Sequence, residues 1–271
     1  MSMERIRRAF EELRRRDRRA LIPFIMGGEP SLAATRALVV ALEEAGADLI
    51  EVGIPFSDPL ADGPVIQMAA TRALRRGVTP RRVLAAIASV RHRVRVPIVC
   101  LSYWNPVLQF GGDGAPSPRA FMQAAREAGV AGLIVPDVPV EEGAELRRTA
   151  SHAHLASIFL AAPTSPPGRL RAIVRASEGF IYYVSVTGTT GARRRLPAEL
   201  RHGVRQVKLL TTKPVCVGFG ISTPAQAAAV ARLADGVIVG SALVRRIAEA
   251  RGTGMVRTAA GFVRQLRRAV R

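Results

Sequence analysis

Cysteine and lysine are both scarce in this chain of 271 residues. The only cysteines, Cys100 and Cys216, stand in apolar, strand-like segments, which excludes a disulfide-stabilised scaffold and predicts buried thiols in a reducing compartment. No apolar run approaches the roughly 20 residues that a membrane span needs. The N-terminus is charged and lacks the apolar core of a secretory signal. We therefore expect a cytoplasmic protein without a membrane association.

The charge balance is strongly one-sided, with a formal net charge of +19. Only Lys208 and Lys213 are lysines, and all the other Lys and Arg positions hold arginine, mostly on predicted helical faces such as 5–15 and 264–271. Nucleic-acid binding is one interpretation, but interleaved aromatic residues and a nucleic-acid-binding motif are both missing. We favour a solvated basic surface that attracts anionic substrates and acidic protein partners and binds no nucleic acid.

Short apolar segments alternate with helical patterns along the whole chain. Eight segments read as strands, and they cover residues 21–26, 49–54, 97–102, 132–136, 157–162, 180–184, 214–218 and 236–240. Eight strands that alternate with helices in about this length predict a single-domain (β/α)8 TIM barrel, an α/β fold, over residues 1–271. Extra helices are predicted before the first strand (4–16) and at the end of the chain (255–270).

Carboxylates cluster after the second predicted strand. Alternation along that strand places Leu49, Glu51 and Gly53 on one face, and a carboxylate there is costly to bury unless it is used. Asp58 and Asp62 follow in a loop bent by proline and glycine, where an Asp-Gly pair also reads as an ordinary turn. Two acids that differ in burial can hold different pKa values, so this rim predicts paired acid–base roles.

Glycine turns follow the seventh and eighth strands, at Gly218-Phe219-Gly220 and Gly240-Ser241. Glycine lets the backbone approach a ligand, and helix N-termini bind anions. Because barrels often hold phosphate between these two loops, we predict a phosphate site, although the glycines could serve only to turn the chain. The segment 188–191 after the sixth strand is a candidate lid, and Gly191 is its candidate substrate contact.

Other chemistries lack residues on the predicted catalytic rim. A Schiff base needs a lysine, but Lys213 precedes the seventh strand and Lys208 lies in a helix. His152 and His154 precede the fifth strand and so lie at the rim opposite the catalytic one. They cannot form a metal site or a catalytic triad at the catalytic rim. Carboxylate acid–base catalysis on a phosphorylated substrate, without a metal or a Schiff base, remains.

The order of these motifs resembles the tryptophan synthase alpha subunit family. The segment IEVGIPFSDPLADGPVIQ at 50–67 is highly specific, and the similarity continues at 23–25, 103–106, 136–139, 182–188, 218–222 and 239–242. The resemblance implies retro-aldol cleavage of indole-3-glycerol phosphate to indole and glyceraldehyde 3-phosphate. It assigns proton transfer to Glu51 and stabilisation of the indole N–H to Asp62. It implies that Tyr182 supports the site, although Tyr182 could equally be an aromatic residue of the core. It also implies that Asp137 orients Glu51.

The same resemblance implies a pocket for the indole. Its positions are Phe24, Ile66, Leu101, Ile134, Ile158 and Phe219, which could equally be packing residues of the barrel.

A partner is also implied, namely a beta subunit that carries pyridoxal phosphate and receives the indole, as an alpha2beta2 heterotetramer. This chain itself would hold no cofactor, and Asp58, Asn105 and Asp137 would lie at the contact. One departure from the family is Glu29 in Gly28-Glu29-Pro30, where the family usually has aspartate.

Three alternatives stay open at this point. The chain could be a stand-alone lyase that releases free indole. It could be another phosphate-binding barrel, such as an isomerase or indole-glycerol phosphate synthase, although the missing rim lysine opposes the synthase. A non-catalytic, arginine-rich binding module would leave Glu51 and Asp62 unexplained.

Overall fold

A single parallel sheet organises the chain. The computed structural model describes residues 2–111, 116–184, 198–218, 220–250 and 254–270. Within these ranges the strands are β1 (Ala20–Met26), β2 (Ile50–Gly53), β3 (Ile98–Leu101), β4 (Gly132–Ile134), β5 (Ala156–Ile158), β6 (Leu160–Ala161), β7 (Ile181–Val184), β8 (Val215–Gly218) and β9 (Gly236–Val239). Each predicted strand segment overlaps at least one of them.

The sheet closes at Phe159, inside the fifth predicted strand. The order along the sheet is β5-β4-β3-β2-β1-β9-β8-β7-β6, so its two outer members are neighbours in the chain. Residue Ile158 pairs with Ile134 on one side, and Leu160 pairs with Tyr182 on the other. Between them the amide of Phe159 donates to Ser177 Oγ at 3.2 Å and leaves the ladder. The predicted strand 157–162 is therefore one bent barrel strand made of β5 and β6. Counted in this way the barrel has eight strands, and the predicted fold is confirmed.

Helices alternate with the strands. They are α1 (Ser2–Arg15), α2 (Leu32–Glu44), α3 (Pro64–Arg75), α4 (Pro80–Val90), a short 3₁₀ helix (Arg91–Arg93), α5 (Trp104–Leu108), α6 (Pro118–Glu127), α7 (Ala144–His152), α8 (Pro167–Ala176), α9 (Ala198–Leu210), α10 (Pro224–Ala231), α11 (Ser241–Glu249) and α12 (Gly254–Ala269). Ser31, Thr79, Ser117 and Thr223 each cap a helix by accepting a first-turn amide. None of the helices in the described ranges has the length and apolarity to cross a membrane.

Alternation along the strands separates two apolar cores. Leu49 faces the barrel interior, whereas Ile50 and Val52 pack outward against the surrounding helices. Both faces of the sheet are thus buried, which explains why the strands read as nearly continuous apolar runs. Both cysteines are buried and form no disulfide.

Helix α1 closes the lower end of the barrel. Its side chains Ile6, Phe10 and Leu13 join the interior cluster, and the ring of Phe10 lies 5.9 Å from that of Phe180. The predicted extra N-terminal helix is therefore a plug beneath the strands. The C-terminal ends of the strands form the opposite, upper rim.

Buried carboxylates tie strand beginnings together at the lower rim. Asp48 Oδ2 accepts the amide of Leu21 at 2.8 Å and contacts Arg267 Nη1 of α12 at 2.5 Å. Arg267 also donates to the carbonyl of Arg19 at 3.2 Å. Burial raises the pKa of Asp48, and the charge of Arg267 opposes that rise. Arg267 thereby links the C-terminal helix to the beginnings of β1 and β2.

Replacing Arg267 with methionine should therefore destabilise the fold. The change keeps the length of the side chain but leaves the Asp48 carboxylate buried without its main cation, which costs about 3 kcal/mol of unfolding free energy. Urea unfolding of the purified protein measures this loss. Arg264→Met, on an exposed position of the same helix, is the matched control, and an equal effect of both changes would contradict the role of the ion pair.

Candidate functional site

Glu51 lies inside the barrel on β2, in register with Phe24 on β1 and Val99 on β3. It is 1% exposed, and neither carboxyl oxygen has a hydrogen-bond partner among the residues that the structure describes. Burial, together with the charge of Asp62, raises the pKa of Glu51 to about 8. The carboxyl is therefore protonated at neutral pH and holds a proton that it can give to a bound molecule.

Asp62 lies at the end of the loop that follows β2, and it is half-buried. Burial raises the pKa of Asp62 to about 6, and a hydrogen bond from the Tyr103 hydroxyl to Oδ2, at 3.1 Å, opposes that rise. The same hydroxyl accepts the amide of Ala61 at 3.0 Å. At neutral pH the site thus pairs a neutral acid, Glu51, with an ionised one, Asp62.

Side chains from two elements hold the loop that contains Asp62. Gln67 on α3 donates to the carbonyl of Asp62 at 2.9 Å, and the ring of Phe56 lies 5.3 Å from that of Tyr103. The middle of the loop is open to solvent, with Asp58 exposed and the side chain of Leu60 93% exposed. The loop is therefore anchored at its Asp62 end and exposed along its outer surface.

Tyr182 on β7 faces the interior beside these acids. Burial raises its pKa well above the ordinary value, and the charges of Glu51 and Asp62 add to that rise. A Cβ atom on Gly218 would lie 2.6 Å from the Tyr182 hydroxyl oxygen. Gly218 therefore has a second use beyond the predicted turn, because its missing side chain makes room for this hydroxyl.

An apolar lining surrounds the acids. Five predicted pocket residues belong to the interior cluster, namely Phe24, Ile66, Leu101, Ile134 and Ile158. A Cβ atom on Gly53 would lie 2.6 Å from the Phe24 ring, so the absence of a side chain there permits the ring to lie against β2. The sixth predicted pocket residue, Phe219, lies outside the described residues.

The predicted phosphate residues lie at the upper ends of β8 and β9. Gly220 has a φ of +76°, which favours glycine, and a Cβ atom there would meet no atom of the described structure within 4 Å. Gly240 caps the N-terminus of α11, and Ser241 is its exposed first residue. A helix N-terminus of this kind presents free amides that can bind an anion, so the phosphate site stays a prediction. The candidate lid 188–191, with Gly191, lies outside the described residues.

The structure contradicts the predicted link between Asp137 and Glu51. Both carboxyl oxygens of Asp137 accept the amide of Trp104 at 3.0 Å, while the Glu51 oxygens are unpaired. Asp137 lies in the turn after β4 and accepts the first amide of α5, because short acidic side chains readily bond to nearby backbone amides. Its oxygens are therefore occupied by the backbone. Asn105 is exposed on α5, so its predicted partner contact stays a prediction.

Tyr103 and Gln67 shape the site, although the sequence predicted no role for either. Tyr103 bonds to Asp62, and Gln67 bonds to the carbonyl of the same residue. The position of Tyr103 directly after the third strand was the available signal, since rim residues converge on a barrel's mouth. Lys213 donates to the carbonyls of Val174 and Ser177, away from this rim.

Comparisons with known proteins agree with this geometry. The family model described as tryptophan synthase alpha chain matches residues 10–270. The tryptophan synthase alpha chain of Geobacter sulfurreducens is 47% identical over 268 residues, covering 99% of both chains. That of Carboxydothermus hydrogenoformans is 53% identical over 245 residues, covering 90% of both. A solved structure of Mycobacterium tuberculosis tryptophan synthase is similar, with a TM-score of 0.89, 40% identity and 98% coverage of both chains.

The buried acid predicts an unusual pH dependence of stability. Folded Glu51 has a pKa of about 8 in place of 4.5, so between these values the folded state keeps a proton that the unfolded state loses. Stability therefore falls as the pH rises through this window. We expect Glu51→Gln to raise the unfolding free energy at pH 8 by on the order of 3 kcal/mol, and to have little effect near pH 4.5.

Chemical denaturation at several pH values measures this difference. The exposed change Glu44→Gln is the control, and it should leave the pH profile as it is. A Glu51→Gln effect of the same size at both ends of the window would contradict the buried, protonated carboxyl.

Proposed function

Because this chain belongs to the tryptophan synthase alpha chain family, we propose that it cleaves indole-3-glycerol phosphate to indole and glyceraldehyde 3-phosphate. The observation that supports this most is the pair of acids with separated pKa values, Glu51 at about 8 and Asp62 at about 6. Cleavage needs one group that donates a proton and one that stays anionic, and this pair supplies both near neutral pH.

Glu51 is the proposed proton-transfer group. Its neutral carboxyl protonates C3 of the indole ring, which gives the indolenine with positive character at the ring nitrogen. The resulting carboxylate takes the proton from the hydroxyl on the adjacent glycerol carbon. The electron pair of that O–H bond forms the aldehyde C=O, and the pair of the broken C–C bond returns to the ring. Glu51 ends protonated, as it began.

Asp62 and Tyr182 are the proposed supporting groups. An ionised Asp62 that faces the indole N–H stabilises the positive charge developing at the ring nitrogen. The hydrogen bond from Tyr103, at 3.1 Å, favours that ionised form. Tyr182 packs beside the acids and limits the positions that the ring can take. No lysine or metal ligand enters this sequence of steps.

The two halves of the substrate suit the two halves of the site. The interior lining of Phe24, Leu101 and their neighbours is apolar and fits the indole ring. Gly220, Gly240 and Ser241, with the start of α11, fit the phosphate. We extend the same proposal to Gly191 and Phe219.

We further propose a beta-subunit partner that carries the pyridoxal phosphate, in an alpha2beta2 assembly, while this chain holds no cofactor. The exposed outer surface of the loop, with Asp58 and Leu60, and exposed Asn105 on α5 support a contact at the upper rim. The two unpaired thiols support a cytoplasmic location.

Glu51→Gln should abolish most of the cleavage. The change keeps the shape of the side chain but removes the transferable proton, which is worth at least about 100-fold in turnover. Indole release from indole-3-glycerol phosphate measures it, with Glu44→Gln as the control. Near-normal turnover by Glu51→Gln would refute the mechanism, and no indole from the unaltered protein, alone or with a beta subunit, would refute the function.

Asp58→Ala should weaken activation by the partner and spare cleavage by the isolated chain. The exposed carboxylate lies on the loop whose far end holds Asp62, so a contact that fixes one end also restrains the other. Turnover with and without a beta subunit measures the activation, and Glu249→Ala, exposed at the end of α11, is the control. Equal activation of Asp58→Ala and the control would remove Asp58 from the contact.

A further inference from the structure

Glu29, in the loop between β1 and α2, is a buried carboxylate with two cationic partners on another element. Its side chain is 4% exposed. Arg72 Nε lies 2.5 Å from Oε1, and Arg76 Nη1 lies 2.7 Å from Oε2. Arg72 lies on α3 and Arg76 directly follows it. Because the two oxygens are shared between two arginines one helical turn apart, the pair constrains the position of the helix as well as its rotation.

The loop that carries Glu29 is fixed to strand β2. The amide of Gly27 donates to the carbonyl of Gly53 at 2.8 Å, and Gly53 lies two residues after Glu51. A Cβ atom on Gly27 would lie 2.7 Å from a methyl group of Val83, so only glycine allows the loop to pass this close to α4. The amide of Gly28 donates to the buried hydroxyl of Thr35 at 2.8 Å. The position of Glu29 is therefore set by the strand that carries Glu51.

The helix that Glu29 holds begins directly after the other acid. Asp62 directly precedes Gly63, the N-cap of α3, and Gln67 on the helix donates to the carbonyl of Asp62 at 2.9 Å. Ile66, on the first turn, reaches the interior cluster. A shift of α3 therefore moves Asp62 and part of the apolar lining together.

We propose that Glu29 is a positioning residue. Through Arg72 and Arg76 it fixes α3, whose N-terminus adjoins Asp62, and so sets the position of Asp62 relative to the strand that carries Glu51. The inference rests on the proposed cleavage of indole-3-glycerol phosphate. Glu29 touches no reacting atom in this role. It ties together the two elements whose acids must face one substrate, and it explains why a carboxylate is buried in this loop.

The test is a double-mutant cycle with Glu29→Gln, Arg72→Gln and the double variant. Glu29→Gln keeps the length and removes the charge that holds both arginines. We expect each single change to lower kcat by about 10-fold with KM within about 3-fold, since misplacement of a catalytic group acts on the transition state. The double variant should lose little more than Glu29→Gln alone, because that change already removes the contact that Arg72→Gln breaks.

A second readout separates positioning from a general loss of stability. Hydrogen exchange should speed up at the amide of Ala61 and along 60–67 in Glu29→Gln, and stay unchanged in β2 and β3. Arg75→Gln, an exposed arginine of the same helix, is the matched control for both readouts. If Glu29→Gln does not fold, Arg72→Gln, which leaves Glu29 its bond to Arg76, carries the same measurements.

The outcomes separate the two proposals. An active unaltered protein whose Glu29→Gln and Arg72→Gln variants keep the kcat of Arg75→Gln would overturn the positioning role and leave the cleavage standing. Losses that simply add in the double variant, or exchange that speeds up throughout the barrel, would also overturn it. An unaltered protein without cleavage activity would overturn the proposed function, and the exchange at 60–67 would then decide alone whether Glu29 fixes the helix.

Discussion

The burial of the Glu51 carboxyl without a hydrogen-bond partner is the constraint on which the site depends. An unpaired carboxylate in an apolar interior is so unfavourable that the group stays protonated at neutral pH. In the proposed reaction a bound molecule accepts this proton, and the apolar lining that raises the pKa of the acid is also the surface proposed to receive the indole ring. Under that proposal, reactivity and recognition arise from one property of the barrel interior.

The two rims of the barrel use carboxylates in opposite ways. At the lower rim Asp48 and Asp235 accept backbone amides of neighbouring strands and pair with Arg267 and Lys208. The oxygens of these two acids are occupied by hydrogen bonds and ion pairs, so the acids stabilise the strands and do not bind a ligand. At the upper rim Glu51 is left unsaturated. The stability supplied below allows a strained electrostatic arrangement above, as expected of a barrel whose chemistry sits at the strand C-termini.

The fold and the main acids could be predicted from the sequence because they depend on local patterns. Short, nearly continuous apolar runs predicted the strands, and the carboxylate within one of them predicted Glu51. What escaped depends on distances between segments far apart in the chain. Tyr103 reaches Asp62 across 41 positions, and Asp137 reaches Trp104 and not Glu51. The bend at Phe159 also escaped, since strand periodicity does not show which neighbour each half pairs with. No pattern within one segment encodes such partnerships.

The helical plug formed by Ile6, Phe10 and Leu13 gives the barrel a direction. Because these apolar side chains seal the lower end, a molecule that reaches Glu51 from solvent has to pass the upper rim. Under the proposed reaction, the indole set free beside Glu51 leaves by that same rim. A protein that receives this product before it reaches water would therefore bind on the side of the barrel opposite to α1.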